Sequence, residues 1–243
     1  MSTTRTEDHM SKTHSKTLIL PSDLEACELF VGLKARALSE IAQQARVVHF
    51  SRGSRIFAQG DAAEHAHVVL KGSVKIVQSG RDGEQVILRF IRPGETFGTV
   101  GIFVDGRYPA DAVAALDSLD ARWPRRTFDS LIEKHPVITL NLVRLMGLRL
   151  RELQNRVREL SSSRVEQRIA GALSRLAATT TDKGYNLNLP LSRRDIAELA
   201  GTTIYTASRI LTGWTKQGIL ASGRARITVL KPEALFVMAL RSE

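Results

Sequence analysis

The sequence predicts an α+β chain in three parts: an N-terminal β-roll of the jelly-roll kind, a long helix that pairs two chains, and a C-terminal winged helix-turn-helix. Three observations carry this expectation. From Arg46 onward, short β-rich runs (VVHF, RIFA, HVVL, SVKIV, QVILRFI, AVAAL, DARW) alternate with turn signals at Gly53, Gly60, Gly72, Gly83, Gly94 and Gly106. That texture suits a sandwich or jelly roll. Between residues 143 and 160, Val143, Met146, Leu150, Leu153, Val157 and Leu160 recur at gaps of 3, 4, 3, 4 and 3, which is the a/d seam of a two-stranded coiled coil. Lastly, residues 191–217 read as two short helices around Gly201, followed by the strand-like run GILASGRARITVL.

In chain order, a disordered tail is expected over 1–23, because its opening run MSTTRTEDHMSKTHSKT is polar and lacks the apolar stretch of a secretory signal. The β-roll is expected over 24–126, with helical spacing at Leu38, Ile41 and Ala45 leading into it. From about Thr127 the pattern turns helical, so 127–162 is expected to be the dimerisation helix, running unbroken through the seam to a hinge at Ser161, Ser162 and Ser163. The winged helix-turn-helix takes 163–243: an amphipathic helix with Val165, Ile169, Leu173 and Leu176 on one stripe, a polar loop TTTDKGYN, the helix pair, a β-hairpin wing, and a last helix after Pro232.

Composition narrows the function. Hydrophobic residues make up 43% and charged residues 25% of the chain, and no run reaches the roughly 18–20 apolar residues of a membrane span. A cytoplasmic protein without a membrane partner is expected. The formal charge is +10, and the last 80 residues hold 12 Lys and Arg against 6 Asp and Glu, a balance that favours a polyanionic partner. A single cysteine, Cys27, permits no internal disulfide and reads as a buried small residue.

The most specific signal lies in residues 191–217. Ser192 and Asp195 form a capping box, Ile196, Ala197 and Leu199 face inward, and Gly201 allows the sharp turn. In the second helix Ile204, Ala207, Leu211 and Trp214 are expected to face inward, leaving Tyr205, Ser208, Arg209, Thr212 and Lys216 on the opposite side. Such a face suits a major groove, where Arg pairs with guanine in bidentate fashion and hydroxyls and Lys hold phosphates. Thr202 and Thr203 add hydroxyls and N–H groups at the helix start, and Arg224 with Arg226 makes a basic wing. These residues are the candidate DNA contacts.

An enzyme is the rival class. Jelly rolls host metalloenzymes, and His65 and His67 fall on one face of a strand. No Glu follows the pair closely, however, and after Pro93-Gly94 the next histidine is His135. The two are therefore expected at the surface or at a strand end. No Ser-His-Asp arrangement or phosphate-cradling glycine loop is present either, so the expectation is no catalysis. A ligand-independent architectural DNA binder would use the same head and charge.

The motifs RIFAQGD (55–61), VVLKGSVKI (68–76), PGETFG (93–98) and TASRIL (206–211), in this order across about 24–240, resemble those of the Crp/Fnr family. The resemblance implies a homodimeric transcription regulator with a cyclic-nucleotide-binding-like β-roll, which binds a palindromic double-stranded DNA site and works with RNA polymerase. Cyclic-nucleotide binders of that family hold the phosphate with a Gly-Glu pair and an Arg followed by a small hydroxyl residue. Here the matching positions are Gly98-Thr99 and Pro109-Ala110, so cyclic AMP is disfavoured. The candidate effector pocket is Phe97, Gly98, Thr99, Arg107 and Tyr108. The oxygen-sensing branch needs a cysteine cluster, so no iron–sulfur cluster is expected.

The segments YPADA (108–112) and GTTIYTASRIL (201–211) look most like the nitrogen-oxide-responsive (Nnr/Dnr-like) branch. This likeness implies nitric oxide as the effector and haem as a candidate cofactor, with His9, His14, His49, His65, His67 and Cys27 as potential ligands. Of the family's DNA-reading residues, Ser208 and Arg209 match, while Tyr205 stands where the usual glutamate would be.

Overall fold

The structure is a computed structural model that describes residues 19–178, 187–223 and 225–240. Residues 1–18 of the expected tail, with His9 and His14, lie outside the described residues, as do the loop TTTDKGYN and Arg224. Pro21 and Ser22, which offer a helix start in the sequence although the expected tail runs to 23, open a short helix α1 (Pro21–Glu25). Pro21 presets the backbone for a first helical turn, and the Asp23 carboxylate accepts the Leu20 N–H at 2.9 Å. Leu24, just beyond, is fully buried.

A second helix, α2 (Ala35–Gln44), leads into the roll. Its strands are β1 (Arg46–Phe50), β2 (Arg55–Phe57), β3 (His65–Lys71), β4 (Val74–Ser79), β5 (Gln85–Ile91), β6 (Thr96–Phe97), β7 (Asp111–Ala114) and β8 (Ser118–Pro124). They form two four-stranded sheets, ordered β1-β8-β3-β6 and β2-β7-β4-β5, with every pairing antiparallel. Because side chains alternate along a strand, Ala66, Val68, Ala121 and Trp123 face the helices, where Trp123 meets Phe30 edge-on at 5.5 Å and its indole N–H donates to the Ile41 carbonyl at 2.9 Å. Val69, Val74, Ile91, Phe97 and Ala112 fill the roll itself. The β6 strand and the helix α3 (Thr99–Phe103) between β6 and β7 had no signal strong enough to predict, being only two and five residues long.

The expected single helical run over 127–162 is two helices, α4 (Arg125–Lys134) and α5 (Pro136–Ser162). Pro136 lacks an N–H and pushes His135 out of helical geometry, to φ −126° and ψ 80°. One side of α5 packs on the roll through Ile138, Leu142 and Leu145, and Asn141 donates to the Leu29 and Val31 carbonyls, each at 2.9 Å.

The remaining elements are α6 (Val165–Ala178), β9 (Leu187–Leu189), α7 (Arg193–Ala200), α8 (Ile204–Lys216), β10 (Leu220–Gly223), β11 (Arg226–Val229) and α9 (Pro232–Leu240). The wing strands join β9 in a sheet ordered β10-β11-β9. Ile169, Leu173, Ile196, Leu211, Trp214, Ile227 and Leu235 make this domain's own core. No helix of the described residues is long and apolar enough to cross a membrane.

Candidate functional sites in the reading head and the β-roll

The reading head is built from its caps outward. Ser192 caps α7 by accepting the Asp195 N–H at 3.1 Å, and the Asp195 carboxylate accepts the Ser192 N–H at 2.8 Å, the reciprocal pair that the sequence spacing predicts. Gly201 then turns the chain with φ +58°, and a Cβ there would stand 3.0 Å from a Leu160 methyl. Thr203 caps α8, its hydroxyl accepting the Thr206 N–H at 3.2 Å. Thr202 is half-buried and its N–H is spent on the Ala197 carbonyl.

Ala207, Ile210, Leu211 and Trp214 form the inner face of α8. Ile204 departs from expectation: as the first residue of α8 it is 54% exposed, and the buried face begins only at Ala207. On the outer side Tyr205 is 78% exposed, and with Ser208, Arg209, Thr212, Gly213 and Lys216 it lines one open trough along α8. Tyr205, Ser208, Arg209 and Lys216 have no side-chain bond to any described residue, so their donors are free for a ligand. Thr212 differs, since Arg193 of α7 donates to its hydroxyl at 3.2 Å. Sequence spacing offered no signal for that link between the two helices.

In the roll, the structure overturns the expectation for His67. It is 3% exposed, not at a surface. Its Nδ1 lies 2.8 Å from Asp120 Oδ2, its Nε2 lies 3.3 Å from the Tyr108 hydroxyl, and Asp120 is wholly buried. The register that pairs His67 with Arg122 and Val69 with Asp120 puts β3 and β8 side by side, a juxtaposition invisible over 53 residues of sequence. Phe57 stacks on Tyr108 at 3.6 Å and Phe97 on His67 at 4.8 Å. Burial raises the Tyr108 hydroxyl's pKa, partly offset by its bond to the His65 carbonyl, and burial with nearby Arg122 lowers that of half-buried His65.

The five candidate pocket residues divide. Phe97, Thr99 and Tyr108 are buried around Gly98, whose missing Cβ would fall 2.9 Å from the His67 ring and 3.2 Å from that of Tyr108. Arg107 is not brought to them: it is exposed, and its guanidinium donates to the Gly60 carbonyl at 2.7 Å. Of the candidate haem ligands, both nitrogens of His67 are committed, His49 is exposed on β1, and burial pushes the Cys27 thiol up to about 12, away from the thiolate that iron prefers, whereas the imidazole of half-buried His65 makes no hydrogen bond among the described residues.

The seam residues on α5 are open. Val143, Leu150, Leu153 and Val157 are exposed, Leu160 is turned toward Gly201, and Met146 is half-buried. Leu140, which the seam reading omitted, is exposed one step earlier on the same helix.

Residues 47–135 match the cyclic nucleotide-binding domain family, and residues 167–236 match the Crp-like helix-turn-helix domain family. The chain is 28% identical over 193 residues to the CRP-like cAMP-activated global transcriptional regulator of Mycobacterium tuberculosis, covering 78% of this chain and 86% of that protein. It is 28% identical over 206 residues to the transcriptional activator protein Anr of Pseudomonas protegens, covering 84% and 83%. In fold it is similar to FixK2 of Bradyrhizobium japonicum, with a TM-score of 0.71 at 24% identity over 82% of this chain and 99% of that one.

Proposed function

The chain belongs to the Crp/Fnr family of DNA-binding transcription regulators, and on that premise we propose that it acts as a homodimer that reads a palindromic site through α8 and answers to a small effector other than cyclic AMP. The observation that carries this reading is the outer face of α8, where Tyr205, Ser208, Arg209 and Lys216 stand free above an intact core. Arg209 pairs with a guanine, Tyr205 and Ser208 meet the neighbouring bases, and Lys216, Thr203 and Arg224 hold phosphates.

Dimerisation is supported by α5. Val143, Leu150 and Val157 are 65%, 58% and 64% exposed, and each would recover about 1–2 kcal/mol on burial against a second copy. Two-fold symmetry then sets the half-sites one helical turn apart, about 34–36 Å. RNA polymerase is the partner through which such a regulator acts on a promoter.

The effector reading rests on the roll. Thr99, Pro109 and Ala110 supply neither the carboxylate nor the cation that cyclic-nucleotide binders use, and Arg107 is held outside at Gly60. The likeness of YPADA and GTTIYTASRIL to the nitrogen-oxide-responsive branch supports nitric oxide as the effector.

The test is fluorescence anisotropy on a palindrome and on a single half-site, with cyclic AMP or nitric oxide added, for the wild type and Leu150→Glu. We expect the variant to sediment as a monomer and to lose the palindrome's advantage, cyclic AMP to change nothing, and nitric oxide to change affinity. An unchanged dimer would refute the seam. Tightening by cyclic AMP would reverse the effector reading, and affinity indifferent to both would favour the architectural binder.

A further inference from the structure

The helix α7 is held at both ends by parts of the chain outside the reading head. At its start, Lys75 of β4 places its ammonium 2.6 Å from Asp195 Oδ1, and the two side chains are only 23% and 13% exposed. The other carboxylate oxygen is already taken by the Ser192 N–H and hydroxyl, at 2.8 and 2.6 Å. Phe90, the cross-strand partner of Lys75 on β5, packs against the head's core beside the same helix. At the far end Arg156 of α5 donates to the Leu199 carbonyl from outside the head, next to the carbonyls of Ala200 and Gly201 that the head's own Arg168 on α6 holds at 2.9 and 3.3 Å.

These grips decide where α8 points. It is fixed to α7 by the Gly201 turn and by the shared core of Ile196, Ala200, Ala207 and Leu211, so an orientation imposed on α7 is imposed on the reading face. A head tied to α5 only through Ser163 would sample many orientations, and DNA would have to select one. Docking removes that freedom beforehand, and preorganisation of this kind strengthens binding without adding a contact to the ligand. Val74 and Ile91, next along the same two strands, face the roll's interior. The β4–β5 ribbon is therefore a wall shared by the effector domain and the head.

We propose that Lys75, a residue of the β-roll, is a positioning residue for DNA reading: acting through Asp195, it sets the orientation of α7 and hence the separation of the two reading helices. This rests on the reading of the chain as a palindrome-binding dimer. The full-length wild type, Lys75→Met, Lys75→Arg and Phe90→Ala are titrated with one half-site and with palindromes whose half-site spacing is varied by single base pairs.

Lys75→Met is expected to bind the optimally spaced palindrome about tenfold more weakly, the equivalent of about 1.4 kcal/mol, and to discriminate less between spacings. Its half-site affinity should stay within about twofold, because the reading face itself is intact. Lys75→Arg should restore most of the loss, and Phe90→Ala should flatten the spacing profile in the same way. An unchanged profile in both Lys75→Met and Phe90→Ala, or tighter binding by Lys75→Met, overturns the proposal alone. A wild type that prefers no palindrome over a half-site overturns the dimer reading, and the proposal with it.

Discussion

In the β-roll, His67, Tyr108, Thr96 and one oxygen of Asp120 turn their polar atoms inward onto one another or onto backbone, whereas on α8 Tyr205, Arg209 and Lys216 turn theirs out to solvent. Phe57, His67, Phe97 and Tyr108 pack on one another beside Gly98, where the candidate effector pocket lies, so an effector bound there would meet these rings. Groups of the first kind are expected to carry stability, and groups of the second kind to carry binding, because a buried charge needs its partner while an exposed one does not.

The largest separation should come from His67→Leu. It leaves Asp120 buried without its imidazole, and breaking a buried pair in this way costs about 3–5 kcal/mol. Urea denaturation would read that loss, and His67→Leu combined with Asp120→Val should recover part of it by removing the stranded carboxylate. A loss under about 1 kcal/mol would mean that the His67–Asp120 contact contributes little to stability, and the contrast would fail on its inward side.

Arg209→Ala is the outward counterpart. It should cost about 1–3 kcal/mol of DNA affinity and relax discrimination at one guanine in each half-site, while leaving urea stability within about 0.5 kcal/mol of the wild type. Equal loss on scrambled DNA would reassign Arg209 to phosphate binding.

The smallest effect is expected where the two regions meet. Burial alone would raise the Asp195 carboxyl, but hydrogen bonds from Lys75 and Ser192 outweigh it and hold the pKa below the ordinary value. A carboxyl lowered in the folded state stabilises fully above its unfolded value, about 3.9, and that contribution fades as pH falls through the folded pKa. Nearby Glu198 is shifted the other way, chiefly by burial, and Arg194 lies 3.5 Å from it. The melting-temperature difference between wild type and Lys75→Met should thus be about 2–4 °C or less near neutral pH. It should narrow as pH falls below about 4, and a constant difference would detach Asp195 from the effect.

Legibility in the sequence followed the same divide. The cap at Ser192, the Gly201 turn and the outer face of α8 are readable because each is set by spacing within a few residues, whereas the cap at Thr203 came only from the structure. Ile204 was misread, since periodicity says which residues share a face but not where a helix first meets its neighbour. His67 was misread because its partner, Asp120, is brought beside it only by the β3–β8 pairing. Arg107 has a similar history: the resemblance offered it as a pocket cation, and the loop geometry gives it to Gly60.

By itself the sequence determined the order of parts, the apolar stripe along α5 and the polar side chains on the outer face of α8, all of which are written in local periodicity and turn residues. Only the tertiary structure decided that the roll's interior closes on a His67–Asp120 pair and that Lys75 reaches Asp195 across 120 positions. Such contacts arise from strand register and domain docking, which depend on the packing of the whole chain and leave no periodic trace in either segment alone.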